Sequence, residues 1–413
     1  MDTKLYDTLK ERGLLYQCTD EEALKKLLSS GKPITVYEGT DPTADSLHIG
    51  HCVPYCVMRR FQQAGHKVVL LMGGATACIG DPSGRSEIRK VMSKEAIAEN
   101  VQKIKETLKV FLDFDGENPA IIVNNADWFK GYDYTDFMRD IGVHFNVNEM
   151  LTNDMYSKRI AEGGLTFFEM GYMLMQAYDF LYLNKTYNCQ LEWGGADQWG
   201  NIVAGVKLGR KMNFLNGTDR TFVGATNPLL ITPQGVKMGK TEKGAIWINK
   251  DKITAYDFYQ GVYQTPDECV EMMFALFTDV PMAEVRELIA KDIVGAKKRL
   301  SFEVTKFVRG EEDAISAQKA SEALFANGGA MSEVPTVEVQ FDKENGMNIV
   351  DLAFATGIVS SKSEARRTIE QGGLSLNNNK ITDYTHVVKS EDFSEGFALL
   401  KKGKKSFIKV VIK

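Results

Sequence analysis

The chain has 413 residues, too many for one ordinary core, so two or three domains are expected. Its 44% hydrophobic and 25% charged residues suit a water-soluble globular protein. A formal net charge of -5 argues against a generic polyanion binder but leaves room for one basic module.

The N-terminus, MDTKLYDTLKERGLLYQ, is charged throughout and lacks the apolar stretch of a signal peptide. No apolar run reaches transmembrane length. Six cysteines (Cys18, Cys52, Cys56, Cys78, Cys189, Cys269) show no Cys-x-x-Cys and no metal-ligand spacing. They read as reduced thiols of a cytoplasmic protein, with no metal site expected. Thr19 and Glu22 form a capping-box pattern ahead of a helix. ITVYEG then alternates as a strand ending at Gly39, and HCVPYCVMRRFQQAG is an amphipathic helix stopping at Gly65. HKVVLLMGG is a continuous apolar run, hence a buried parallel strand. A helix from Ser93 to about Leu112 and a short strand, AIIVNN, come next.

Strands alternating with helices predict a doubly wound parallel sheet. The alternation resumes with the apolar helix LTFFEMGYMLMQAYDFLYL, the strand CQLEW and the glycine-led helix GADQWGNIVAGVKLGRK. NPLLITPQGVKMGKTEKG reads as one more strand with a polar exit, which places the nucleotide-type fold at roughly residues 32–245. From Thr254 to about Ala326 the pattern is helical, and residues 329–346 read as a linker. Residues 347–413 carry eleven Lys/Arg against seven Asp/Glu, a basic module in an acidic chain. Two short helices (VDLAFATG, SKSEARRTIEQGG) and the strands LSLNNN, HVV and SFIKVVIK are expected there.

The most informative stretch is YEGTDPTADSLHIGH, Tyr37–His51. Only five histidines occur in the chain, and two of them, His48 and His51, stand three apart across Gly50. In open α/β sheets ligands bind beyond the carboxyl ends of strands, where helix N-termini offer unpaired N–H groups suited to phosphate. Asp41-Pro42-Thr43 turns the chain into that position. His48 and His51 would share one face of the first helical turn, and Gly50 would leave room for a base or ribose. For either histidine alone, a helix cap or a core residue is the plain alternative. A second stretch, KMGKT (Lys237–Thr241), puts two lysines three apart on a glycine-flanked loop, either mobile phosphate ligands or solvated surface.

Together these stretches resemble the paired signatures of the class I aminoacyl-tRNA synthetases. HIGH matches the first letter for letter; KMGKT varies the second, Lys-Met-Ser-Lys-Ser, at Gly239 and Thr241. GGATACIGDPSGR, QAYDF and GGADQWGN narrow the resemblance to the bacterial tyrosyl branch, and SKSEARRTIEQGGLSLN is similar to S4-type RNA-binding domains. The implied architecture is α/β: a Rossmann-like doubly wound catalytic domain over residues 1–245 and an α-helical anticodon-recognition domain over 246–328. The linker at 329–346 and a small α+β S4-like RNA-binding domain at 347–413 complete it. The implied activity is formation of tyrosyl-adenylate from L-tyrosine and ATP with Mg²⁺, then transfer to tRNA, by a homodimer.

The resemblance also implies roles. Thr43, His48, Lys237, Lys240 and Thr241 would meet the phosphates, with Arg85 and Arg89 as further phosphate ligands or simply a solvated basic loop. Gly39, Asp41, Gly50, His51, Gly195 and Asp197 would line the nucleotide. Tyr37 and Asp179 would bond the substrate phenol. Asp81, Tyr172 and Gln176 would hold its ammonium, with Gln198 near its carboxylate. Tyr172, Gln176 and Asp179 recur at helical spacing, so they share one face. Asp179 within QAYDFLYL must be buried, which requires a partner: the phenol, or a core Arg or Lys. An indole has no phenol for this pair to read, which argues against the tryptophanyl branch. The third reading, an RNA-binding protein reusing a synthetase body, is disfavoured by the intact catalytic stretches. Glu38 departs from the branch, which often carries cysteine there beside the ribose. Lys362, Arg366, Arg367, Lys401, Lys402, Lys404 and Lys405 are candidate tRNA phosphate contacts.

Overall fold

A computed structural model of the chain describes residues 2–44, 46–83, 93–232, 238, 240–241, 244–325, 336–342, 346–377, 379–393, 397–403 and 406–412. The chain divides into two compact units, Met1–Ala314 and Ile315–Lys413.

The first unit is organised by a six-stranded sheet. Its strands are β1 (Gln17–Cys18), β2 (Thr35–Thr40), β3 (Lys67–Met72), β4 (Ile121–Asn124), β5 (Cys189–Gly195) and β6 (Val223–Asn227), in the order β1-β6-β5-β2-β3-β4. β2 through β6 pair in parallel, and β1 lies antiparallel on the β6 edge. The chain builds outward from β2 to β4, then returns to the other side of β2 for β5 and β6. That reversal leaves a crevice at the carboxyl end of β2.

Both faces of the sheet are covered, and this explains the unbroken apolar run of β3. Val68, Leu70 and Met72 enter one core with α1 (Val53–Gln63); Val69 and Leu71 enter a second core beneath α2 (Phe167–Tyr187). The long helix α3 (Trp199–Asn216) lies beside α2. On β2 the same alternation sends Val36 to the first core and Tyr37 to the second. The helices α4 (Ala255–Tyr263), α5 (Val270–Phe277), α6 (Met282–Lys291) and α7 (Ile293–Arg309) complete the unit and share the core of α1. Arg60 of α1 and Arg12 both donate to Ala275 and Thr278 carbonyls at the end of α5, which satisfies acceptors the helix cannot.

The second unit carries a five-stranded sheet. Its strands β9 (Thr336–Val339), β11 (Leu374–Leu376), β12 (Asn379–Ile381), β14 (Ala398–Lys402) and β15 (Ser406–Ile412) are ordered β12-β11-β14-β15-β9. β10 (Met347–Asn348) and β13 (Val387–Val388) pair separately, and α8 (Ile349–Ala355) and α9 (Lys362–Glu370) close the core.

Several expectations shift. The cap of Glu21–Leu28 is Asp20, which accepts from Ala23 N, while Thr19 is drawn away to accept from Gly224 N of β6. The strand expected to begin at Asn227 instead ends there, because Pro228 has no N–H to continue a ladder. Within the expected linker, Thr336–Val339 forms β9, the edge of the C-terminal sheet parallel to β15.

Candidate active site

The elements converge above the carboxyl ends of β2–β5. The first of the two stretches that the sequence singles out pairs here, through backbone, with the segment just after the second. Ile49 N donates to Ile246 O at 2.9 Å, Ile248 N donates to Leu47 O at 2.9 Å, and His48 bridges to Trp247. Lys240 and Thr241 form β7, paired with Gly244–Ala245 (β8), so this segment follows the second stretch directly. Gly50 permits the closest approach: a Cβ there would stand 2.4 Å from Met238 O. The room expected for a base or ribose at Gly50 is therefore taken by the Met238 carbonyl. His48 is the extended residue before a 3₁₀ turn, Ile49–Cys52, rather than a member of an α-helical turn. Residues three apart eclipse in 3₁₀ geometry, and the two imidazoles stack with centroids 3.5 Å apart. His51 and Thr43 are exposed at the rim, and the Asp41–Thr43 turn is fixed by Asn100 Nδ2 donating to Pro42 O at 2.9 Å.

Below the rim, one polar chain runs from the strand ends to the floor. Tyr172 Oη donates to Asp41 Oδ2 (3.1 Å), and Thr76 Oγ1 donates to Asp41 Oδ1 (2.8 Å). Asn125 Nδ2 donates to both Thr76 Oγ1 and Asp179 Oδ2, each at 3.1 Å, while Trp128 Nε1 donates to Asp179 Oδ1 at 2.8 Å. Among the described residues Asp179 thus has neutral donors and no cation, so no core Arg or Lys among them is its partner. Burial holds its carboxyl well above the usual carboxylate range, against the lowering influence of those two donors. Asp41 joins Tyr172 rather than standing apart on the nucleotide side. Gly73 and Gly74 leave space for this chain, since a Cβ at Gly73 would meet Asp41 Oδ1 at 2.1 Å and one at Gly74 would meet Asn124 Oδ1 at 2.3 Å.

Tyr37 and Glu192 are cross-strand neighbours at the floor. The Tyr37 hydroxyl is buried and lacks a well-aligned hydrogen bond; burial raises its pKa well above the ordinary tyrosine value, and the adjacent Glu192 adds to the rise by its charge and by hydrogen bonding. Glu192 is itself pushed up to about 7 by burial, and its Oε1 accepts from Gln176 Nε2 at 3.1 Å. A second cluster joins Asp81 to Gln198: Gln198 Nε2 donates to Asp81 Oδ2 at 2.7 Å, and Ser83 N donates to Asp81 Oδ1 at 2.9 Å. Gly195 and Asp197 follow at the end of β5, with Asp197 half-buried. A Cβ at Gly39 would meet only ordinary contacts, the nearest at 3.6 Å.

Glu38 lies on the other face of β2. It is buried, accepts from Thr40 Oγ1 at 3.1 Å, and Thr40 in turn accepts from Tyr55 Oη of α1 at 2.6 Å. Burial lifts the Glu38 carboxyl to about 8, partly offset by the Thr40 hydrogen bond. Arg85, Arg89 and Lys237 lie outside the described residues, as do Lys404 and Lys405. In the second unit Arg366 and Arg367 are exposed on α9, Arg366 over the Tyr384 ring at 6.0 Å. Lys362 pairs with Asp351 at 2.7 Å, Lys401 lies over the Phe407 ring, and Lys402 is engaged by Glu364. Thr76, Asn125, Trp128 and Glu192 were not singled out by sequence. Glu192 alone carried a usable signal, a charge in the middle of a buried strand. No group of three or more His, Cys, Asp or Glu among the described residues could hold a metal ion, and no helix among them is long and apolar enough to cross a membrane.

Residues 29–326 match the family described as tRNA synthetases class I (W and Y), and residues 327–410 match the tyrosine–tRNA ligase SYY-like C-terminal domain. The chain is 48% identical over 415 aligned residues to a tyrosine–tRNA ligase of Clostridium tetani, covering 100% of both chains. It is 49% identical over 410 to that of Caldanaerobacter subterraneus, covering 98% and 99%. A C-terminally truncated mitochondrial tyrosyl-tRNA synthetase of Aspergillus nidulans superposes with a TM-score of 0.68 at 28% identity, over 78% of this chain and 94% of that one.

Proposed function

The chain belongs to the class I tRNA synthetases of the tryptophan and tyrosine type, and we propose that it ligates tyrosine to its tRNA. In the first step the tyrosine carboxylate attacks the α-phosphorus of ATP, brought in as its Mg²⁺ complex. The new O–P bond forms as the bond to pyrophosphate breaks, giving tyrosyl-adenylate. In the second, a terminal ribose hydroxyl of tRNA attacks the acyl carbon and AMP leaves. The carboxylate is already ionised, so the first step needs no general base. Holding the reactants in line and stabilising the leaving pyrophosphate is the work that remains.

The residues divide accordingly. His48 and Thr43 serve the phosphates from the strand side, and Lys237, Lys240 and Thr241 serve them from the segment that Gly50 lets approach. Arg85 and Arg89 add positive charge. Gly39, His51, Gly195 and Asp197 seat the nucleotide, with Glu38 near the ribose; Asp81, Tyr172, Gln176 and Gln198 orient the amino acid, with Asp41 bonded to Tyr172. The observation that carries the choice of tyrosine is the floor: Asp179 held by neutral donors beside a buried Tyr37 hydroxyl with no well-aligned hydrogen bond. A phenol adds a partner for each, donating to Asp179 and accepting from Tyr37; a phenyl ring offers neither bond. Pyrophosphate exchange by Tyr37→Phe tests it. Tyrosine specificity over phenylalanine should fall by ~5–30-fold, the worth of one buried hydrogen bond. An unchanged ratio would remove Tyr37 from the reading.

The sheet is a Rossmann-like doubly wound catalytic fold over residues 1–245. Residues 246–328 form a helical anticodon-recognition domain, and 347–413, joined by the edge strand β9, an S4-like RNA-binding domain presenting Lys362, Arg366 and Arg367 to tRNA phosphates. Exposed Tyr134, Val143, Val147, Ile160, Phe167 and Phe168, all between β4 and β5, support a homodimer. The free cysteines suit a cytoplasmic setting.

A further inference from the structure

Glu192 has no part in the division of roles above, yet it stands at the pocket floor. It is 2% exposed, in register beside Tyr37, with Oε1 bonded to Gln176. Its Oε2 has no well-formed hydrogen bond, nor has Gln176 Oε1, and Tyr37 Oη leans on Glu192 without a well-aligned bond to it. Buried unpartnered polar atoms are uncommon, and each costs ~1–3 kcal/mol. Here they belong to three residues that adjoin one another on β2, β5 and α2. Gly205 on α3 preserves the place of the carboxyl, since a Cβ there would stand 3.0 Å from Oε2.

The sheet order β5-β2-β3-β4 decides how these groups face a ring. Glu192 lies on the β5 side of Tyr37. Asp179 is anchored by Asn125 and Trp128, which follow β4 on the opposite side. Two carboxyls therefore flank one hydroxyl. A phenol has a single O–H and can donate to only one of them. A ring with a second donor on the carbon next to the phenol can donate to both.

We infer that Glu192 is a specificity-determining residue that reads the ring edge beside the phenol, admitting tyrosines that carry an amino or hydroxyl donor there. This rests on the tyrosine-activating reading of the same pocket. The competing role, in which Glu192 only orients Gln176, would affect every substrate alike.

The test is pyrophosphate exchange by the full chain with L-tyrosine, 3-amino-L-tyrosine and 3-methyl-L-tyrosine. The last two are similar in size and differ in the donor. Wild-type enzyme should favour the amino over the methyl compound by ~10-fold in kcat/KM, the value of one satisfied buried acceptor. That ratio should collapse toward one in Glu192→Leu and fall in Glu192→Gln, whose amide nitrogen faces the ring once its oxygen bonds Gln176. Tyrosine itself should lose less than the ratio does. A wild-type ratio near one overturns the inference even if neither variant folds, and so does an equal loss of all three substrates in the variants. No exchange with tyrosine by wild type would instead sink the underlying functional reading.

Discussion

Glu38→Gln should stabilise the protein at neutral and alkaline pH. Glu38 is 4% exposed and accepts from the Thr40 hydroxyl, and burial lifts its carboxyl from 4.5 to about 8. Below the unfolded value both states hold the proton, and Glu38 contributes no pH dependence. Above it the unfolded chain releases the proton first, so the folded state binds more protons and stability falls as pH rises, levelling off past about 8. At about 1.4 kcal/mol per unit, the loss reaches roughly 3 kcal/mol by pH 7. Glutamine keeps the carbonyl that accepts from Thr40 and cannot ionise. For a unit of this length the variant should melt roughly 5 °C higher at pH 7, with the gap closing toward about pH 5. Trp128, Trp193, Trp199 and Trp247 are the only tryptophans, all within Met1–Ala314, so intrinsic fluorescence follows the relevant unit. A Tm difference independent of pH, or a wild type that gains on the variant as pH rises, would refute the reasoning.

Gly50→Ala should slow tyrosyl-adenylate formation by at least ~10-fold, read by stopped-flow fluorescence, because its methyl needs the place of the Met238 carbonyl. Asp179→Asn should weaken tyrosine binding by ~1–3 kcal/mol in a direct titration, since the amide adds a donor where the phenol needs an acceptor. Arg366→Glu with Arg367→Glu should leave pyrophosphate exchange intact and weaken tRNA charging, with a shallower dependence of affinity on salt. Phe167→Asp should shift sedimentation toward monomer if the exposed apolar segment joins two copies; an unchanged species would remove that support.

What could be read from sequence followed from local physics. The unbroken β3 run announced a strand buried on both faces, and Tyr172, Gln176 and Asp179 announced a shared helix face by spacing alone. The losses came from distant pairing. β1 is two residues long and exists because β6, about two hundred residues later, offers it an edge; the same pairing draws Thr19 away from its helix cap. β9 is a half-exposed strand whose partner β15 lies at the other end of the module, so its four residues read as linker. At the site, neither Asn125 nor Thr76 carries a signal, because each matters only through what it bridges. The environment of Glu38, likewise, depends on Tyr55 arriving from α1.

The most direct test of the central claim is ATP–pyrophosphate exchange with each of the twenty amino acids in turn. The floor of Tyr37 and Asp179 predicts exchange with tyrosine, with phenylalanine and tryptophan near background. Exchange driven by tryptophan, or none with any amino acid while the protein is folded, would contradict the account.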